Sequence, residues 1–297
     1  MSFRWMPRIR DKKIHMLILL PGAFNHFFDI IEIIKKFSKP KIHFEVYDGV
    51  ENSKWSGGRI DCLAYTKFDW GKVNFYNRLG IGVSLTFSNK YIDITSKKEN
   101  EILSKLNERE GNGVIIRNIE LCKHIKKNYP NLSVQLSVAG IGNDYKSVIK
   151  EESNYDIICP RPEFVFKKDF VLKCNPDKYK IMVNNVCKIN CEFWDLHRNA
   201  ISDAIISGIK DPEVAFSICE CWKRTGKIFT TKFVKPCKKF SGNFNDIDVD
   251  YSIADIKRLI NLGYNKFKIS GRELKGDIFK KEICIYVLRI LKACDLL

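Results

Sequence analysis

HMLILLPGAFNHFFDIIEIIKKFSKPKIHFEVY, residues 15–47, holds the unit from which the fold is read. His15–Leu20 is a short apolar run. Asn25–Phe37 then repeats apolar residues at helical spacing (Phe27, Phe28, Ile30, Ile31, Ile33, Ile34) until Pro40 stops it. Ile42–Tyr47 alternates, with His43, Glu45 and Tyr47 on one face and Ile42, Phe44 and Val46 on the other. Strand, helix, strand is the expected order.

The same alternation continues outward. Strands are expected at Ile81–Phe87, Gly113–Ile116, Leu132–Val138, Tyr155–Cys159, Tyr179–Val183 and Lys266–Ser270, with a further extended run at Ile228–Val234. Helices are expected at 98–110, Ile119–Asn128, Tyr145–Glu152, Ile253–Leu262 and Lys281–Cys294. Short apolar strands each followed by a polar or Gly-containing turn are the pattern of parallel βαβ units. About eight such units suit an α/β chain folded as a single-domain (β/α)8 TIM-like barrel. The barrel is expected over residues 14–297, with a basic arm at 1–13 and a Cys-rich rim at 174–237. A doubly wound open sheet is the alternative, but Pro21-Gly22-Ala23-Phe24 is not the Gly-rich phosphate turn that fold places after its first strand.

The basic start and apolar run of residues 1–24 superficially resemble a signal peptide. Pro21 interrupts the run, which falls short of the ~20 residues needed to span a bilayer. A first buried strand is the expectation, and with it a cytoplasmic protein with no membrane partner.

Net charge is +16, with 45% hydrophobic residues, enough to bury a core. Clustered Lys and Arg gain affinity for phosphate by counterion release, so RNA is the first polyanionic partner to consider. A solvated Lys-rich surface gives the same number. Eleven Cys is an odd count at a density below that of secreted disulfide scaffolds. Reduced thiols, some of them ligands, are expected.

In a parallel barrel, chemistry sits on the loops after the strands. One such stretch is KIMVNNVCKINCEFWDLH, residues 180–197, where three residues separate Cys187 from Cys191 and let both sulfurs reach one metal. Further thiolates are available from Cys174, Cys219, Cys221 and Cys237, and spacing alone does not separate zinc from iron–sulfur. His197 is a ligand or a hydrogen-bonded neighbour. Cys62, Cys122, Cys159, Cys284 and Cys294 are expected to be structural. FKISGRE, residues 267–273, places Lys268 and Arg272 at a strand end, where they can hold a carboxylate or phosphate. Arg59, after Gly57 and Gly58 in a long loop that starts at Gly49, is a third such cation; Trp55 and Tyr65 in that loop point to a segment that folds over something. No nucleophile elbow, HExxH or Walker loop is present.

The order VYDG…SGGR, VNNVC-x3-C-x5-H, FVKP and GYNKFKISGRE resembles the collagenase-like peptidase family U-32, which includes the ubiquinone-biosynthesis U and V proteins and the tRNA and rRNA hydroxylation proteins. The resemblance implies a barrel-like α/β fold, a four-cysteine [4Fe–4S] cluster, and oxygen-independent hydroxylation of RNA bases or an aromatic precursor, with prephenate as oxygen source in some members. Cys187 and Cys191 match the paired cluster ligands, Cys174 the spacing of a third in the V-type protein, and Cys221 a Cys before FVKP in others. This chain departs from the pattern at Cys237 and Lys238, where acidic residues are usual, and in the segment SGNFNDIDVD that follows. The fourth ligand therefore stays open among Cys174, Cys219 and Cys237. Two other readings stand beside this one: a non-catalytic, zinc-stabilised barrel that binds RNA or a partner subunit, and a peptidase.

Overall fold

The computed structural model describes residues 15–57, 67–142, 144–185, 194–209, 249–272 and 274–297. The opening unit folds as β1 (Met16–Pro21), α1 (Phe27–Phe37) and β2 (Ile42–Asp48). Then come α2 (Trp70–Arg78), β3 (Gly82–Phe87), α3 (Lys97–Asn107), β4 (Gly113–Ile116), α4 (Ile119–Asn128), β5 (Ser133–Leu136) and α5 (Tyr145–Lys150). The chain continues through β6 (Ile157–Ile158), α6 (Lys168–Lys173), β7 (Ile181–Met182), β8 (Asn184–Asn185) and α7 (Trp194–Ile206), and ends in β9 (Val249–Asp250), α8 (Ile253–Asn261), β10 (Lys266–Lys268) and α9 (Gly276–Ala293).

Eight strands form one all-parallel sheet in the order β6-β5-β4-β3-β2-β1-β10-β7. Neighbours in the chain are neighbours in space, as right-handed βαβ crossovers require. The edge strands β6 and β7 meet only at an isolated parallel bridge, Ile158 to Tyr179, with Lys180 N–H donating to the Ile158 carbonyl at 2.9 Å. A ladder there is cut short because Pro160 and Pro162 follow β6 and cannot donate. The expected barrel is thus seen as a curled eight-stranded sheet.

The two faces of the sheet differ. Ile18, Leu20, Phe44, Val46, Val83, Leu85, Val114, Ile116, Val134, Ile181 and Phe267 face the helices and join one continuous core with the buried stripes of α1, α8 and α9. The concave face mixes an apolar cluster of Leu19, Tyr47 and Ile115 with a polar tie. Lys180 Nζ lies 2.6 Å from Glu45 Oε2 on β2 and 3.2 Å from Gln135 Oε1 on β5, whose Nε2 donates to Ser84 Oγ on β3 at 3.0 Å. Those strands are not neighbours in the sheet, so one amine can reach both only if the sheet curls around it.

Several expectations are corrected. The apolar run near the start is β1, as expected. Strands 5, 6 and 7 are shorter than expected, because Val138–Gly140 is a tight helical turn and prolines bound β6. Helices α2, α6 and α7 and the ribbon pairing β8 with β9 were not expected. The loop after β2 does fold inward: Trp55 is buried edge-on against Phe87 and donates to the Asp93 carbonyl. A Cβ on Gly57 would sit 2.5 Å from the Ser88 carbonyl carbon, so only glycine allows this close approach to the end of β3. The run Ile228–Val234 lies outside the described residues. No described helix is long and apolar enough to cross a membrane.

Removing one member of a buried ion pair strands the other charge, at a cost of about 3 to 5 kcal/mol. Lys180→Met should lose stability on that scale in urea unfolding, and adding Glu45→Leu should recover most of it. A double variant as unstable as the single one would contradict the bridge.

Candidate functional site

The carboxyl ends of the strands carry the site. Lys268, the last residue of β10, is 6% exposed and lies with its Nζ 4.3 Å from the centroid of the Tyr47 ring. The Arg272 guanidinium lies 5.3 Å from the same centroid. Tyr47 is fixed from its other end, where its hydroxyl donates to the Ile269 carbonyl at 3.0 Å. A cation near an aromatic ring is drawn to it by the ring quadrupole, and both side chains lie within that range of Tyr47. The structure therefore brings Lys268 and Arg272 together, as the sequence anticipated.

The turn that carries Arg272 is pinned by Asn184. Its amide nitrogen donates to the Ser270 carbonyl at 3.0 Å, and its oxygen accepts from Ser270 N–H at 2.7 Å. Asp48, at the end of β2, accepts from the backbone N–H groups of Phe24 and Gly49. Burial pushes the Asp48 carboxyl up, opposed by the nearby Arg272 guanidinium and by these two donors.

α7 lies across this mouth. Trp194 at its start is buried with Val138, Cys159 and Met182. Further along, Asn199 accepts from Arg117 Nη2 at 3.2 Å, Ser202 Oγ accepts from Lys90 N–H, and Asp203 pairs with Lys90 at 2.8 Å and accepts from the Tyr91 hydroxyl. One helix thus touches the loops after β3, β4, β5 and β6. Arg161 and Arg198 stack on the Trp194 ring at 4.8 Å and 4.6 Å, and Arg161 is also bound by Glu163 at 2.7 Å from Nε.

The side chains gathered at this mouth, here called the chamber, are mostly cationic. Burial pushes the Lys268 amine down to about 8; Cys159 opposes the shift, and Arg272, Lys180 and Arg198 add to it. No described carboxylate pairs with Lys268. The Cys159 thiol is pushed up by burial. Thr86 lies two residues beyond Ser84, hence on the same concave face, and its buried Oγ1 has no hydrogen-bond partner; nor has the buried Trp194 Nε1. Buried polar atoms without a protein partner are free to hydrogen-bond with water or another polar group. A separate cleft of about 260 Å³, lined by Arg117, Ile141, Glu151 and Tyr155, lies on the helical side of the sheet.

The expected metal ligands fare differently. Cys187, Cys191, Cys219, Cys221 and Cys237 lie outside the described residues, as does Arg59, and so does the side chain of His197. Among the described residues no cluster of three His, Cys, Asp or Glu side chains is placed to hold a metal. Cys174 is buried in the helix-side core at the amino-terminal edge of the sheet, hydrogen-bonded with Tyr179, and burial pushes its thiol up to about 11. It is a core thiol near Tyr179, just before β7, whereas Lys268 and Arg272 lie at the carboxyl end of β10. Cys122, Cys284 and Cys294 are packed as structural residues, as expected, whereas Cys159 faces the chamber. Cys159 and Tyr47 were missed as site residues; the signal was that both end strands on the face of Glu45 and Gln135.

No family model matches this chain, and no curated protein matches it. Among solved structures it is similar to a cube-shaped, highly porous designed protein cage built by fusing symmetric oligomeric domains, at 7% identity and TM-score 0.44, covering 96% of this chain and 73% of that one. It is also similar to the C-terminal domain of a protein named for a chitinase, from Desulfitobacterium hafniense DCB-2, at 10% identity and TM-score 0.43, covering 93% and 99%.

An amine whose pKa falls on folding releases its proton as the chain folds, so between pH 8 and about 10 the unfolded state binds more protons and Lys268 makes stability rise with pH. Subtracting the unfolding free energy of Lys268→Met from that of the wild type across this range should leave a positive slope. A flat difference would show an ordinary lysine.

Proposed function

We propose that this chain is an enzyme that binds a small anion in the chamber between Tyr47, Lys268 and Arg272. The observation that carries the reading is the buried Lys268 and the half-buried Arg272 beside the Tyr47 ring at the carboxyl end of a parallel sheet, where such folds hold their chemistry. The reading completes the curled sheet to a (β/α)8 barrel. It also takes up the resemblance to family U-32, with an iron–sulfur cluster on Cys187, Cys191, Cys221 and Cys237 and oxygen-independent hydroxylation as the reaction.

Two features support the thiol ligands. Asn185 pairs with Val249 in the ribbon of β8 and β9. That pairing sets Asn185, two residues before Cys187, beside Val249, twelve residues after Cys237. The chamber's cations also favour an assembly of thiolates, which are anionic as ligands. A cluster held there would supply one-electron chemistry. The chain's own residues would bind and orient the substrate: Arg272 and Lys268 its anionic group, Tyr47 an apolar face, and α7 a cover that excludes water. The net charge of +16 favours RNA as the molecule modified.

Anaerobic purification followed by iron and sulfide analysis tests this. The expected result is a brown protein that loses its iron in Cys187→Ala and Cys191→Ala and keeps it in Cys174→Ala. A colourless protein holding zinc would favour the non-catalytic barrel.

A further inference from the structure

Lys268 is set up for more than charge. It stands at the end of β10, buried beside the ring of Tyr47. The titratable and charged groups around it are Cys159 after β6, Lys180 before β7, Arg198 on α7 and Arg272 after β10. Three of these four are cations, and none is a carboxylate. This arrangement discourages a proton on the amine and leaves it a lone pair. Lysines become nucleophiles by this route, through desolvation and a neighbouring cation.

We propose that Lys268 Nζ condenses with the carbonyl carbon of a small oxo acid, whose carboxylate is held by Arg272, to form an imine. The substrate class follows from the neighbours. Lys268 Nζ and the Arg272 guanidinium lie 4.3 and 5.3 Å from the Tyr47 centroid, so their separation is at most the sum of those distances, a span that one oxo acid can bridge with its carboxylate at the guanidinium and its carbonyl at the amine. The amine lone pair attacks the carbonyl carbon and the π pair moves to oxygen. Transfer of the nitrogen's protons to that oxygen expels one water as the C=N bond forms, and no oxidant or reductant is consumed. At pH 7.5 the neutral fraction of an amine near pH 8 exceeds that of an ordinary lysine by more than about a hundredfold. Thr86 Oγ1 and Trp194 Nε1 are polar atoms available to such a substrate. The inference rests on the chamber being the anion site, and it stands whether or not iron is bound.

The test uses the full-length protein, pyruvate as the probe and sodium borohydride to reduce the imine, read by intact mass and peptide mapping. A single reduced adduct on residue 268 is expected. It should be lost in Lys268→Arg, kept in Lys266→Arg, and need more pyruvate in Arg272→Ala. Circular dichroism checks that Lys268→Arg is folded, and the wild-type labelling rate should climb with pH through about 8. No adduct in folded wild type, or adducts spread over surface lysines and retained in Lys268→Arg, would overturn the proposal. Metal content measured on the same preparation separates this outcome from a failure of the iron–sulfur reading.

Discussion

One buried amine organises the interior of this protein. Lys180, just before β7, reaches Glu45 on β2 and Gln135 on β5, and Gln135 reaches Ser84 on β3. In the sheet order, β2 and β7 are separated by β1 and β10, so a flat sheet would hold these groups far apart. The charges are satisfied only by curling, and a buried charge left unsatisfied is costly. The helices bury the other face with aliphatic side chains, which supply most of the stabilisation without specifying curvature. Apolar contact makes the sheet stable, and the polar tie selects its shape.

Curling has an electrostatic consequence one layer up. The residues beyond that tie on the same face, Tyr47, Thr86, Cys159 and Lys268, are brought towards a common mouth, where Trp194 at the start of α7 packs on Cys159. Water excluded from this space no longer screens Lys268, Arg198 and Arg272 from one another. Asp48 and Glu163 offset part of the charge, on Arg272 and Arg161 respectively. The remainder is a demand for an anion. The carboxyl end of parallel strands is where α/β enzymes place substrate, which is why the proposed reading sets its anion there.

Much of the fold was legible because period-two and helical repeats are strong where one face is buried. β1 to β4, α1, α4 and α8 were read near their observed limits for that reason. α7 escaped notice because it roofs polar loops: Asn199, Ser202 and Asp203 are its contacts, and such residues read as solvent-facing. Lys180 was given no role within the expected strand Tyr179–Val183, since charge is seldom expected inside a barrel. Lys268 and Arg272 were legible from FKISGRE because strand-end cations are conspicuous. Cys159 and Tyr47 were not, because each looks like an ordinary core residue until the partner strands place a lysine beside it. The spacing of Cys174 to Cys187 says nothing about where in the fold its thiol packs.

The account stands on the Lys268 amine being a neutralised group facing an anion. Carbon-13 labelling of lysine, with the Lys268 signal assigned by Lys268→Arg, gives its titration directly. The account predicts a midpoint near 8 that moves upward when acetate, a carboxylate with no carbonyl able to condense with the amine, is added and pairs with its charged form. A midpoint near that of a free lysine, unmoved by the anion, would contradict it.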